Sequence, residues 1–161
     1  MAIVPKGIII HSMAEYLKID KGPMYAHDFL KSIKLSVHGF IKPDGTYEKM
    51  VETPGKAFHA GKSVFGKLSG LNSHFLGFEL LVPGEHDFGT FSKAIETPGT
   101  YTEEQFKTSL EVCQYWMQQY NIPADAVVRH SDVSGDDVRG KGQGKTDPGS
   151  AFDWDRFKKE L

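Results

Sequence analysis

Cysteine is almost absent. Cys113 is the only one in 161 residues, so no internal disulfide can form and no thiol pattern marks an oxidising compartment. Long apolar runs are also missing. The opening Met1 to Ile10 is apolar but broken by Pro5, Lys6 and Gly7, far short of the ~18 residues that cross a membrane. It lacks the charged start, apolar middle and small-residue cleavage site of a signal peptide. The expectation is a chain without a membrane partner, cytoplasmic until something releases it, or else a fragment of an exported protein. Surplus positive charge is missing too: the net charge is −2. That argues against nucleic acid, whose backbone is bound by clustered Lys and Arg, and removes bulk attraction to any anionic polymer. Repeats, low-complexity tracts and long linkers do not occur.

The remaining composition, 25% charged and 39% hydrophobic, is that of a soluble globular protein, and 161 residues suffice for one domain with a real core. Ile8-Ile9-Ile10 is a β-branched run suited to a buried strand ending at His11. Lys34 to Lys42 and Thr46 to Glu52 flank Pro43-Asp44-Gly45 and read as a hairpin, because Pro sets φ and Gly supplies positive φ. Phe75 to Val82 is a further apolar strand, closed by Pro83-Gly84. Thr102 and Gln105 have capping-box spacing, with Glu103 and Glu104 at the positive end of the helix that follows. Phe106, Leu110, Cys113, Met117 and Tyr120 recur on one face of it, and Asn121 with Pro123 stops it. Ala126 to Arg129 reads as a strand and Trp154 to Lys159 as a last helix. Alternating elements predict one α/β domain, a central mixed sheet with helices on its faces.

Of seven histidines, His11 and His130 stand at the ends of buried strands, where functional groups tend to be displayed. Lys145-Thr146-Asp147-Pro148-Gly149 closes a Gly-rich loop. On pattern alone, two histidines and an aspartate do not separate a metal site from core or surface side chains. Cys113, on the apolar face of the long helix, reads as core. Glu79 sits among Phe78, Leu80 and Leu81, an odd place for a carboxylate that has no task, unless it faces solvent from an edge strand.

Six segments occur in one order: Ile8-Ile9-Ile10-His11, Ser36-Val37-His38-Gly39-Phe40-Ile41 with Asp44-Gly45, Ala57-Phe58-His59-Ala60-Gly61, Gly77-Phe78-Glu79-Leu80, Arg129-His130-Ser131-Asp132 and Lys145-Thr146-Asp147-Pro148-Gly149. Together, from about His11 to Trp154, they resemble the family-2 N-acetylmuramoyl-L-alanine amidases, a family that includes phage lysozyme-type amidases and peptidoglycan recognition proteins. The resemblance implies one zinc ion on His11, His130 and Asp147; three protein ligands leave a fourth position open, as catalytic zinc requires. Asp132, nearer to His130, is the alternative third ligand. Glu79 takes the family's general-base position and Lys145 the position facing the oxyanion. His38, His59, Ala60, Gly61 and Arg139 match positions near the substrate groove, although His38 or His59 can equally be a group that orients a ligand.

The function so implied is hydrolysis of the amide between N-acetylmuramic acid and L-alanine in peptidoglycan, by a monomeric single catalytic domain spanning 1–161 with no separate wall-binding domain. The expected setting is lysis, as a phage endolysin. The alternatives are a cytosolic amidase recycling soluble muropeptides and a recognition module that binds peptidoglycan without cutting it.

Overall fold

The β-branched run at the start does form a buried strand, but one much longer than the run. In the computed structural model, which describes all 161 residues, β1 spans Gly7–Ile19. Its first six residues are buried and the rest alternate towards solvent, so His11 lies inside the strand and not at its end. β2 (Gly22–Tyr25) folds back on it, and α1 (Ala26–Ser32) follows. β3 (Gly39–Ile41) and β4 (Tyr47–Lys49) form the expected hairpin; Gly45 at its turn has φ +88°. A two-residue pair, β5 (Val64–Phe65) and β6 (Leu68–Ser69), precedes β7 (Phe75–His86). β7 runs through Pro83-Gly84 instead of closing there, because its extension pairs with Tyr16 and Leu17 past an irregularity in β1.

Five helices complete the chain: α2 (Phe88–Ala94), α3 (Glu103–Tyr120), then after β8 (Val127–Arg129) the short α4 (His130–Val133) and α5 (Asp136–Arg139), and finally α6 (Trp154–Glu160). The Thr102–Gln105 capping box forms, and Asn121 ends α3 in the left-handed conformation. None of the helices is long and apolar enough to cross a membrane.

The sheet order is β2-β1-β7-β3-β4, with β8 beside β1. β7 and β8 pair parallel with β1, and β3 pairs parallel with β7; β2 and β4 are antiparallel edges. Alternation along the strands divides the sheet into two faces. Ile8, Ile10, Leu76, Phe78, Leu80 and Val127 pack with Phe106, Cys113 and Trp116 of α3 and Phe157 of α6 in the main core. Leu110, Met117 and Tyr120, expected on the inner face of α3, pack only partly buried against it. The other face carries Ile9, Phe75 and Val128 against Ala60, Leu71 and Val133. The odd-numbered positions of β1 and β7 thus look away from the long helices, and that set includes His11 and Glu79.

α3 is docked by polar side chains at its N-terminal end. Buried Gln105 donates to the carbonyls of Ile41 (3.1 Å) and Leu81 (2.8 Å). Thr102 accepts from Gln105 N–H (3.0 Å) and donates to the Pro43 carbonyl (2.6 Å). Thr102→Ala removes both the cap and the strut, and is expected to cost about 1–2 kcal/mol. Denaturant unfolding checks it; an unchanged midpoint would assign the docking of α3 to burial alone.

Candidate metal centre

The site is assembled by register. His11 and Glu79 are Cα partners on adjacent parallel strands, so both side chains leave the same face. β8 pairs with Ile8–Ile10, which brings His130, the first residue after it, beside His11. The two imidazoles meet edge to face with centroids 4.3 Å apart. Asp147 comes from the loop after α5. Its Oδ1 lies 3.1 Å from His130 Nδ1 and its Oδ2 3.8 Å from His11 Nδ1. One potential ligand atom from each of His11, His130 and Asp147 lies within 4.8 Å of the other two, and all three residues are buried.

The hydrogen bonds behind the cluster fix where the protons are. His59 Nε2–H donates to the Phe75 carbonyl at 3.1 Å, so its Nδ1 is an acceptor, and it meets His11 Nε2 at 2.8 Å. His11 must therefore donate from Nε2, which leaves Nδ1 with a lone pair aimed at Asp147. His130 donates from Nε2 to the Ala60 carbonyl at 3.2 Å, and its Nδ1 also faces Asp147. When both imidazoles are neutral they turn two lone pairs towards a carboxylate. That arrangement is unfavourable unless a shared proton or a cation lies between them. The second nitrogen of each candidate ligand is held by an acceptor, the usual support of metal-bound histidine. The donor set fits zinc by type: two nitrogens and one carboxylate oxygen.

Titration follows the geometry. Burial, then the charges of His130 and His59, hold the His11 pKa well below the usual value. His59 is pushed down to about 3, chiefly by burial. Burial opposes ionisation of Asp147, but the charge and hydrogen bond of His130, the Ser12 N–H at 3.1 Å and the charge of Lys145 outweigh it and keep the carboxyl below its usual range. Glu79 goes the other way: burial first and the Asp147 charge second raise it well above the ordinary glutamate range, with Lys145 opposing. Its Oε2 is buried without a hydrogen-bond partner. An unpaired buried carboxylate of raised pKa beside a candidate metal centre is poised for proton transfer. Lys145 itself is exposed, close enough for its charge to act on His11, Glu79 and Asp147.

Several expected roles change. Asp132 is exposed and bound by both carboxylate oxygens to the Arg129 guanidinium, at 3.0 and 2.9 Å, so it does not reach the cluster. Asp147 does, because the Gly-rich loop folds back on itself. The Asp136 carboxylate accepts from Gly142 N–H (3.0 Å) and Gly144 N–H (2.8 Å), Lys145 N–H binds the Ser134 carbonyl (2.8 Å), and Ser131 N–H binds the Asp147 carbonyl (3.1 Å). His38 does not line a groove. It is fully buried, accepts from Gly77 N–H (3.1 Å) and donates to the Gly55 carbonyl (2.7 Å), leaving no ring nitrogen for a substrate. His59 acts through His11 for the same reason. Ala60 is buried and its carbonyl is shared by His130, Ser134 and Arg139. Arg139 thus spends one nitrogen on that carbonyl (3.1 Å) and braces exposed Gly61, where an added Cβ would lie 2.6 Å from the guanidinium.

Three contributors were not anticipated. Asn72 Oδ1 accepts from the backbone N–H of His59 (2.9 Å) and of Ala60 (2.7 Å) and holds both behind the cluster. Gly77 lies against the His11–His59 bond: a Cβ there would be 2.6 Å from His59 Nδ1 and 3.2 Å from His11 Nε2. A glycine inside an apolar strand was the available signal for such a close approach. Ser12 contributes a backbone N–H, which no sequence pattern encodes. A groove of about 610 Å³ contains none of the cluster. Its lining includes Ser131 and Thr146, the chain neighbours of His130 and Asp147.

With that geometry in hand, the comparisons are specific. The N-acetylmuramoyl-L-alanine amidase family matches residues 2–150. A 1,6-anhydro-N-acetylmuramyl-L-alanine amidase, AmpD of Enterobacter cloacae, is 33% identical over 135 residues, covering 82% of this chain and 62% of that protein. The chain therefore spans a little under two thirds of the length of that relative. Among solved structures, a selenomethionine derivative of AmpD superposes with a TM-score of 0.69 at 24% identity, covering 98% of this chain and 84% of the other. The endolysin amidase LysCS of Clostridium intestinale URNW gives 0.64 at 22% identity, covering 99% and 84%. Both likenesses establish the fold.

Two outcomes follow from the cluster. Asp147→Asn is expected to weaken zinc binding by at least about 10-fold while Asp132→Asn leaves it unchanged, measured by competition with a chromophoric chelator; the reverse order would move the third ligand to Asp132. For Glu79, the raised pKa fixes the sign of a stability effect. The folded state holds its proton more tightly than the unfolded chain, so stability is lost as pH rises through the folded value. Metal-free Glu79→Gln is therefore expected to melt about 3 °C above wild type at pH 8, with the gap closing towards pH 4. A constant gap at both pH values would mean that Glu79 ionises in the fold without penalty.

Proposed function

The chain belongs to the N-acetylmuramoyl-L-alanine amidase family, and from that membership we propose that it hydrolyses the amide joining the lactyl group of N-acetylmuramic acid to L-alanine, on soluble 1,6-anhydro-muropeptides. The observation that carries the chemistry is the convergence of His11, His130 and Asp147 beside an unpaired, buried Glu79 on one face of the sheet. The choice of a small soluble substrate over an intact wall rests on the relatives with the stronger sequence likeness, which are 1,6-anhydro-N-acetylmuramyl-L-alanine amidases. Likeness of fold does not separate the two, since it extends equally to a protein described as an endolysin. The lytic role expected from the sequence thus gives way to a recycling role, carried out in the cytoplasm by residues 1–161 as one catalytic unit.

In this reading His11, His130 and Asp147 hold one zinc ion, with His59 and the Ala60 carbonyl fixing the imidazole tautomers. The ion, when bound, supplies Lewis-acid polarisation and brings the pKa of water to about 7. Glu79 takes the proton from the attacking water and returns it to the leaving amine of L-alanine. Its pKa, raised by burial and then by the Asp147 charge, makes it a stronger base than an ordinary glutamate. Lys145, exposed and with its charge acting on the cluster, stabilises negative charge on the carbonyl oxygen as it develops. Arg139 keeps the Ala60–Gly61 backbone in place beside His130.

The test is a paired digestion of an anhydro-muramyl tripeptide and of purified sacculi, each with and without chelator, followed by mass spectrometry. The expected outcome is a free peptide beginning with L-alanine from the small substrate, lost on chelation, restored by zinc, and formed at least ~10-fold faster than peptide release from sacculi. Faster release from sacculi would restore the lytic role. Binding without cleavage in every tube would replace the enzyme with a recognition module.

A further inference from the structure

Asp147 reaches the two histidines from a loop, and a loop does not by itself hold a carboxylate in place. The peptide that follows it is fastened to residues 95–101, the connection between α2 and α3. Ala151 N–H donates to the Ile95 carbonyl at 2.8 Å. Gly149 lies so close to the same residue that an added Cβ would be 2.2 Å from the Ile95 oxygen. Ser150 donates from both its N–H (3.1 Å) and its hydroxyl to the Glu96 carboxylate. Tyr101 donates from its hydroxyl to the Pro148 carbonyl at 2.6 Å.

This last bond is the one nearest the candidate ligand, a single residue beyond Asp147. The Tyr101 ring packs edge-on against Phe152 of the main core, with centroids 5.9 Å apart. Burial raises the pKa of its hydroxyl above the ordinary tyrosine value, so it stays a donor throughout the working range. Beside it lies Ser12, whose N–H holds Asp147 Oδ2 at 3.1 Å. Asp147 is thereby held at three points: its carboxylate by the Ser12 N–H on β1, its own carbonyl by the Ser131 N–H, and the residue that follows it by Tyr101.

We propose that Tyr101 is a positioning residue for the metal centre, holding Asp147 in reach of His11 and His130 through its hydrogen bond to the Pro148 carbonyl. The inference rests on the zinc reading of the site. Nothing in Tyr101 touches the metal or the substrate. Its work is to keep the backbone next to Asp147 fixed, so that the carboxylate stays on the Ser12 N–H and within reach of both histidines.

Tyr101→Phe keeps the ring that packs on Phe152 and removes only the hydroxyl. The zinc dissociation constant by chelator competition, the melting temperature of the metal-free protein, and the visible absorption of the Co²⁺-loaded protein are measured side by side. The expected result is zinc affinity about 10-fold weaker and altered cobalt bands. Ser150→Ala, which loosens the same segment further from Asp147, is expected to stay within about 2-fold of wild type on that scale. A lower melting temperature with unchanged affinity and unchanged bands would make Tyr101 purely structural and overturn the proposal. Equal losses in both variants would overturn it as well, placing the effect in the docking of the whole segment. A wild-type protein that takes up no zinc would remove the metal reading and this inference together.

Discussion

Two imidazole lone pairs and a carboxylate face one another in a buried space, and most of what surrounds them follows from that. Left alone, such a group of acceptors repels. It is kept together because each histidine is anchored by its other nitrogen, His11 through His59 to the Phe75 carbonyl and His130 to the Ala60 carbonyl. Those anchors need anchors of their own. Asn72 holds the backbone of His59 and Ala60, and Gly77 leaves room for the His11–His59 bond to lie against β7. Much polar chemistry on this face thus serves one purpose, to present lone pairs inward where a cation can use them.

Glu79 illustrates the complementary cost. Every other large side chain on β7 between Phe75 and Leu81 is apolar and buried, and a carboxylate among them opposes folding when it ionises. The main core on the opposite face, with Phe78, Trp116, Phe106 and Phe157 in contact, offsets that cost. The division of labour is spatial: one face of the sheet holds the main core, while the other combines smaller apolar clusters with the groups that would be removed if stability were all that mattered.

Much of this was legible beforehand, for identifiable reasons. The capping box at Thr102, the turn at Gly45 and the stop at Asn121 are local, so sequence spacing alone specifies them. His11, His130 and Asp147 could be paired only through resemblance, because their proximity depends on a parallel register and on a loop closed by Asp136. What stayed hidden was the direction of protons. His38 and His59 look alike in sequence, yet one is saturated by backbone at both nitrogens and the other is joined to a candidate ligand. The length of β1 was hidden as well, since its second half is half-exposed and draws its pairing from β2 and the tail of β7. Asp132 looked closer to His130 than Asp147 did, but it was committed to Arg129.

The strict two-face alternation of β1 also sets where heritable change in length can accumulate. One residue gained or lost between Gly7 and His11 would turn the imidazole into the helix-packed core and bring an isoleucine into its place. The segment from Ser134 to Gly144 carries no such parity. It leaves and re-enters through the Ser134–Lys145 and Ser131–Asp147 backbone bonds, so a change of length at its exposed tip around Lys141, outside Asp136 and Arg139, leaves Asp147 at the same spot. Within a lineage of such proteins, the strand is the ruler and the loop is the slack.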